Sequence, residues 1–249
     1  MKISIITVSY NAVTTIEETI QSVLNQSYQH IEYVIIDGGS SDGTQAIIEK
    51  YADKIAFHVS EPDGGIYFGM NKGIAACTGD YIGILNADDV YASNGIISKV
   101  VELLQTSKSS TLYGDLDYVA EDNLDDVVRK WISGSFNRKS FLMGWMPPHP
   151  TFFVQKGLYD KYGVFNTSFK ISADYELMLR FLFKNSLSAA YLPQTLIKMR
   201  VGGVSNSSIK NRLQANKEDR KAWKINGLRP KWFTLLMKPA SKVMQFLKK

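Results

Sequence analysis

Two adjacent carboxylates, Asp88 and Asp89, follow an apolar run that ends at Leu85 and the neutral pair Asn86-Ala87. Carboxylates at the end of a buried strand are costly unless exposed or neutralised, and a hard divalent cation carrying a diphosphate neutralises them well. An isolated Asp-Asp also starts turns and caps helices, and taken alone it favours that plainer reading. Other chemistries lack their parts. The first apolar run leads into Thr7-Val8-Ser9-Tyr10-Asn11 rather than G-x-G-x-x-G, and no G-x-x-x-x-G-K-S/T occurs, so ATPase and dinucleotide sites lose their support. His30, His58 and His149 have no zinc-type spacing, and one cysteine, Cys77, can build neither a disulfide nor a Cys-rich metal site.

The elements that must position these residues alternate regularly. Residues 3–8, 31–36, 55–60 and 81–85 read as short buried strands, and residues 14–27, 44–51, 65–76 and 94–105 as helices between and after them. Thr14 and Glu17 stand at capping-box spacing. Such alternation predicts an α/β fold with a parallel sheet and helices on both faces. In such sheets ligands collect at the carboxyl ends of the strands, where the polar stretches 7–11, 37–43, 61–65 and 86–89 fall. The second half is less regular, with strands expected near 111–119, 127–132, 151–154 and 187–199 and helices near 157–162 and 173–184. It completes one domain over residues 1–205, of which 1–110 form the nucleotide-binding half.

The 249 residues include 29 Lys and Arg against 24 Asp and Glu, a net charge of +5, with 45% hydrophobic and 21% charged positions. This is globular composition, which excludes disordered, collagenous and disulfide-scaffold classes. The charge is unevenly placed. From Arg220 onward there are nine basic residues and no acidic one, leaving 20 basic against 24 acidic in the rest. Residues 206–249 therefore read as a basic, amphipathic extension that seeks an anionic partner, and an anionic membrane surface suits its apolar residues. No window approaches the ~20 apolar residues of a spanning helix and no export signal stands at the start. The expected location is cytoplasmic, peripheral on the inner face of the cell membrane. Nucleic acid is not an expected partner, and pairing with a second copy of the chain stays open.

Seven segments in order carry a resemblance: Ile5 to Asn11, Val34 to Thr44, Ser60 to Tyr67, Met70-Asn71-Lys72-Gly73, Gly79-Asp80-Tyr81, Asn86-Ala87-Asp88-Asp89 and Ala173-Asp174-Tyr175-Glu176-Leu177. Together they resemble the family 2 glycosyltransferases, inverting enzymes of the GT-A fold. The resemblance implies a nucleoside-diphosphate sugar donor, UDP-linked by expectation, held by Thr7, Ser9, Tyr10, Asn11, Asp37, Asp63, Asn71, Lys72, Asn86, Ala87 and Asp88. It makes Asp88 the metal ligand for Mn²⁺ or Mg²⁺ and Asp174 the general base. Glu176 is the fallback, placed with His149 on the acceptor side, and Arg200 would steady the departing diphosphate. The acceptor implied is a polyprenyl-linked bacterial surface glycan. Inversion at an anomeric carbon asks for a base on one side of the sugar and a cation clamp on the other. The neutral Asn86 stands where the D-x-D motif begins with a carboxylate. A non-catalytic carbohydrate-binding protein of the same fold is the competing reading. A sugar nucleotidyltransferase would want a basic, Gly-rich loop after the first strand, which is absent.

Overall fold

The computed structural model describes residues 1–202, 209–235 and 237. Strands β1 (Ile3–Ser9), β2 (Ile31–Asp37), β3 (Phe57–Ser60) and β4 (Tyr81–Asn86) lie parallel in the order β3-β2-β1-β4. Every residue of β1 is buried because both faces of the sheet are covered. Ile3 and Ile5 pack with α1 (Ile16–Leu24), α2 (Thr44–Glu49) and α4 (Ile96–Ser107), while Ile6 and Val8 pack with α3 (Ile66–Ala76) and the second half of the chain. That is why the strand is a continuous apolar run rather than an alternating one. Each fully buried isoleucine contributes about 1.5–3 kcal/mol.

Helix α1 opens at Ile16, two residues later than expected, and no capping bond forms at Thr15. The Thr15 hydroxyl instead donates to the Ala87 carbonyl at 2.8 Å, tying the helix start to the turn after β4. Helix α3 crosses β1 closely at Gly73, where a Cβ would stand 2.5 Å from Cγ2 of Ile6.

The second half extends the same sheet. Strands β5 (Asp89–Tyr91), β6 (Thr111–Val119), β7 (Val127–Trp131), β8 (Phe153–Gln155) and β9 (Ala189–Arg200) continue it from β4 in the order β8-β6-β9-β5, with β7 paired to β6. Pairing here is mixed: β8 is antiparallel to β4 and β6, and β9 is parallel to β6. The short β5 was not anticipated. It pairs antiparallel to β9, so the turn through Ala87 and Asp88 carries the chain from one part of the sheet to another. Helix α5 (Lys156–Tyr162) follows β8, and α6 (Ala173–Met178) runs on into a wider π-helical turn, Leu179–Lys184.

The expected extension from residue 206 begins as part of the body. Helix α7 (Ile209–Ile225) buries Ala222 and Trp223 completely. The Trp223 ring meets Phe183 edge-on at 5.2 Å, and its Nε1 donates to the Tyr175 hydroxyl at 2.8 Å. Thr234 is buried too, its hydroxyl donating to the Leu142 carbonyl at 2.7 Å. The last basic and apolar stretch, 238–249, lies outside the described residues. No helix among the described residues is long and apolar enough to cross a membrane.

Candidate active site

The register of the parallel sheet sets Ser9 beside Asp37 and Val8 beside Asn86, which brings three strand ends to one edge. Asp37, 1% exposed, is the knot of that edge. One carboxylate oxygen accepts from Ser9 Oγ at 2.8 Å and Ser40 Oγ at 2.6 Å; the other accepts from Ser40 N at 2.8 Å and Ser60 Oγ at 2.5 Å. Burial works against its charge, but these bonds outweigh it and hold the carboxyl below the usual range. Asp37 and Ser9 therefore fix the shape of a wall instead of facing a ligand. Thr7 is likewise not at the surface: it is fully buried, with its hydroxyl 3.0 Å from that of Tyr33.

The groups left facing outward are Tyr10, Asn11 and Asp63. The Tyr10 ring is 68% exposed. Asn11 takes a left-handed backbone, φ 48°, while its Oδ1 accepts from Ser41 N at 3.0 Å. A Cβ at Gly38 would lie 3.5 Å from both the Tyr10 ring and Asp63 Oδ1, so the absence of a side chain there leaves the space between these two residues open. Asp63 Oδ1 also accepts from Gly65 N at 2.7 Å, at the start of α3. Lys72, expected at the donor, pairs with Glu61. Asn71, also expected at the donor, has its amide engaged elsewhere: it exchanges two 2.9 Å bonds with the backbone of Phe165 and clamps α3 to the second half.

Asp88 is half-buried on the turn between β4 and β5, and Asp89 is completely buried. Burial raises the carboxyl of Asp88, partly countered by the nearby charge of Arg200. Arg200, expected at the diphosphate, is spent on this turn. It is 7% exposed, and its guanidinium donates to the Asp88 carbonyl at 2.6 Å, to the Glu121 carbonyl at 3.0 Å and to the Glu18 carboxylate. Ala87 contributes its carbonyl to Thr15 and is otherwise buried. Asn86 Nδ2 donates to Asp89 at 3.1 Å, whereas Asn86 Oδ1 and Asp89 Oδ1 are buried with no hydrogen-bond partner. Orphaned oxygens beside a carboxylate whose charge burial disfavours are what a divalent cation relieves. The residues therefore fit such a cation. Among the described residues no cluster of three or more metal-binding side chains occurs, so a cation would draw its remaining ligands from a diphosphate and water.

Asp174 sits in the first turn of α6, half-buried. The Tyr67 hydroxyl, from α3, donates to the Ile171 carbonyl at 2.6 Å and stands 3.4 Å from Asp174 Oδ1. Tyr67 stacks on Phe165 at 5.7 Å, and His149 meets the other ring edge-on at 5.6 Å. Burial lowers the pKa of His149, which favours the neutral imidazole, while the charge of Asp174 acts in the opposite sense. Burial raises the pKa of Tyr118, and the charges of Asp89 and Asp174 act in the same sense. Glu176 belongs elsewhere. It is 2% exposed, its two oxygens each accept from Arg180 at 3.0 Å, and Oε1 also takes a bond from Asn226, so it holds α7 and is closed to an acceptor.

A parallel sheet whose strand ends carry an Asn-x-Asp turn, with a mixed second half presenting a separate carboxylate, defines the GT-A architecture of glycosyltransferases. The sequence model of Glycosyl transferase family 2 matches residues 4–171, two thirds of the chain, and the chain belongs to that family. It is 34% identical over 181 residues to an uncharacterized glycosyltransferase of Mycobacterium tuberculosis, covering 72% of this chain and 68% of the relative. A PGL/p-HBAD biosynthesis glycosyltransferase of Mycobacterium bovis is 26% identical over 212 residues, covering 83% and 80%. Among solved structures, S. aureus TarS 1-349 in complex with UDP-GlcNAc superposes with a TM-score of 0.70 at 17% identity, over 91% of this chain and 65% of that one. The mannosyltransferase PcManGT from Pyrobaculum calidifontis, in complex with GDP-Man and Mn²⁺, gives 0.61 at 16% identity, covering 100% and 76%. The chain thus spans just under two thirds of the TarS structure, and these two likenesses show the shared fold.

Proposed function

We propose that the protein transfers a sugar, with inversion, from a nucleoside-diphosphate sugar to a hydroxyl of a lipid-linked bacterial glycan, with Asp174 as general base. The observation that carries this reading is Asp174, half-buried in the first turn of α6 with the Tyr67 hydroxyl 3.4 Å from its Oδ1. A carboxylate that is only half-buried is open to take a proton from an incoming hydroxyl. Tyr10 and Asp63 flank Gly38, and the exposed Tyr10 ring offers a face on which a base would stack. UDP is the favoured nucleotide, as in the TarS complex, although PcManGT binds GDP-Man. Asn86 and Asp88 would hold Mn²⁺ or Mg²⁺, which supplies charge neutralisation for the departing diphosphate. The catalytic residue stays on the protein side of that division: Asp174 accepts the proton, and Arg200 keeps the Asp88 turn in place.

The acceptor places the enzyme at a membrane, on its cytoplasmic side, where nucleotide sugars are made. Support comes from Trp232, 86% exposed beside Lys231, and from the basic and apolar residues that follow it in sequence. The test is turnover of a panel of UDP- and GDP-sugars with a short polyprenyl-linked acceptor, followed as released nucleoside diphosphate, with Mn²⁺ and with EDTA. Metal-dependent release that requires acceptor is the expected result. Donor binding with no release under any condition would favour the non-catalytic reading.

A further inference from the structure

The segment before the base, residues 168–172, is gripped from two sides. From α7, Glu218 is 4% exposed and accepts three consecutive backbone N–H groups: Lys170 at 3.1 Å, Ile171 at 2.9 Å and Ser172 at 2.9 Å. Gln214, one turn earlier, donates to the same carboxylate at 2.9 Å. Ala215 and Lys221, on the same helical face, reach Ser172 and Ser168: the Ala215 carbonyl accepts from Ser172 Oγ at 3.4 Å, and Lys221 Nζ donates to Ser168 Oγ at 2.9 Å. From α3, the Tyr67 hydroxyl takes the Ile171 carbonyl. Both polar groups of the Ile171 backbone are thus held by side chains from distant parts of the chain, two residues before α6 begins and three before Asp174.

Nothing in secondary structure demands this arrangement. Residues 170–172 precede α6, so their N–H groups lie outside the first-turn donors that a local cap satisfies; a carboxylate 46 to 48 residues away takes them, and Ser172, at the cap position, makes no capping bond of its own. A carboxylate receiving several N–H bonds is a strong, directional anchor. It is also outside the family match, which stops at residue 171. Burial raises the Glu218 carboxyl, but its bonds prevail and keep it ionised and in place.

Resting on the reading of Asp174 as the base, we infer that Glu218 and Tyr67 are positioning residues that set the orientation of Asp174 by clamping residues 170–172 between α7 and α3. The C-terminal helix is then part of how this enzyme places its base, and a change in α7 reaches the reaction without touching substrate. Tyr67, His149 and Tyr118 are the titratable groups that face Asp174, and only Tyr67 is part of the clamp.

Glu218→Gln in the full chain keeps size and shape but sets an amide against three donors. The expected result is a folded protein whose kcat falls at least tenfold, with donor KM within about twofold and the acidic limb of the kcat–pH profile displaced. A misplaced base loses rate where a generally loosened protein loses active fraction. A folded Glu218→Gln enzyme with wild-type kcat, or one with reduced kcat and an unmoved acidic limb, overturns the inference. Should that variant fail to fold, Glu218→Asp decides by the same two readouts, because it keeps the charge and withdraws the carboxylate from the three N–H groups without touching Asp174. The double variant of Glu218→Gln with Tyr67→Phe should lose less than the product of the two single losses, since both act on one segment; full multiplicativity counts against a shared clamp. Asp174→Asn runs alongside. If that variant stays active the base assignment fails, whereas an inactive Asp174→Asn with a normal Glu218→Gln overturns the clamp alone.

Discussion

Replacing Arg200 by lysine separates the tether seen in the structure from the phosphate ligand that the sequence suggests. The guanidinium serves three acceptors in different directions, the Asp88 and Glu121 carbonyls and the Glu18 carboxylate. A lysine ammonium is a single point and cannot reproduce that fork. Glu18 is 55% exposed and rehydrates, so the loss falls on the two carbonyls. A hydrogen bond from a charged donor is worth about 1.5–3 kcal/mol, and lysine recovers part of one of them. The net cost is about 3 kcal/mol, or a Tm lowered by roughly 6–12 °C for a chain of this size. Differential scanning fluorimetry of both proteins, with and without UDP and Mn²⁺, measures it. The account expects the drop in the ligand-free protein, with Mn²⁺-dependent UDP binding weakened in step as the Asp88 turn loosens. An unchanged ligand-free Tm together with lost UDP binding would refute the tether and return Arg200 to the diphosphate.

Three further outcomes follow from particular contacts. Burial alone would raise Glu32, but bonds from Lys2, Ser4 and Thr78 pull it down to about 2 from an ordinary 4.5. Its contribution is therefore complete above about pH 4.5 and fades as the pH falls toward 2; Glu32→Gln should cost roughly 1.5–3 kcal/mol at pH 7 and flatten that acid slope in thermal melts. Gly73→Ala drives a methyl to 2.5 Å from Ile6 inside a two-faced core, so the overpacking cost of about 1–3 kcal/mol should exceed the ~1 kcal/mol helix gain and lower Tm; a raised Tm would show that the crossing has room. A chain ending at Met237 keeps the docked Thr234 and removes the basic, apolar end, and it should lose salt-sensitive co-sedimentation with anionic vesicles; equal binding by both chains would count against membrane attachment.

Strands β1, β2 and β4 were legible because burial on both faces writes itself as a run rich in apolar, β-branched residues, as in Ile3, Ile5, Ile6 and Val8, whereas the edge strand β3, read as buried, is largely exposed. The polar strand ends were legible as a place but not as individual roles. Sequence marks Asp37 as an acid at a strand end; it does not show that Ser9, Ser40 and Ser60 converge on it from three segments and use up its oxygens. The same holds for Asn71, whose partner is the backbone of Phe165, 94 residues on. Arg200 and Glu176 read as functional for one reason: a charged residue near a motif looks available until its partners are known, and in the structure both are engaged by other parts of the chain. Helix α7 was hidden by its charge. Only the pair Ala222-Trp223 and the two acids Glu218 and Asp219, just ahead of a purely basic stretch, hinted at a buried face. Strand β5, three residues long, lies below what periodicity can show.

The central claim is that Asp174 removes the acceptor proton, and the kinetics of Asp174→Asn test it most directly. The substitution keeps shape and leaves Tyr10, Asp63 and Asp88 untouched, so donor binding measured by calorimetry should stay within about twofold of wild type. Transfer should fall by about 10²–10⁴, the usual worth of general base catalysis. A variant that binds donor normally and keeps more than about a tenth of the wild-type rate would contradict the account.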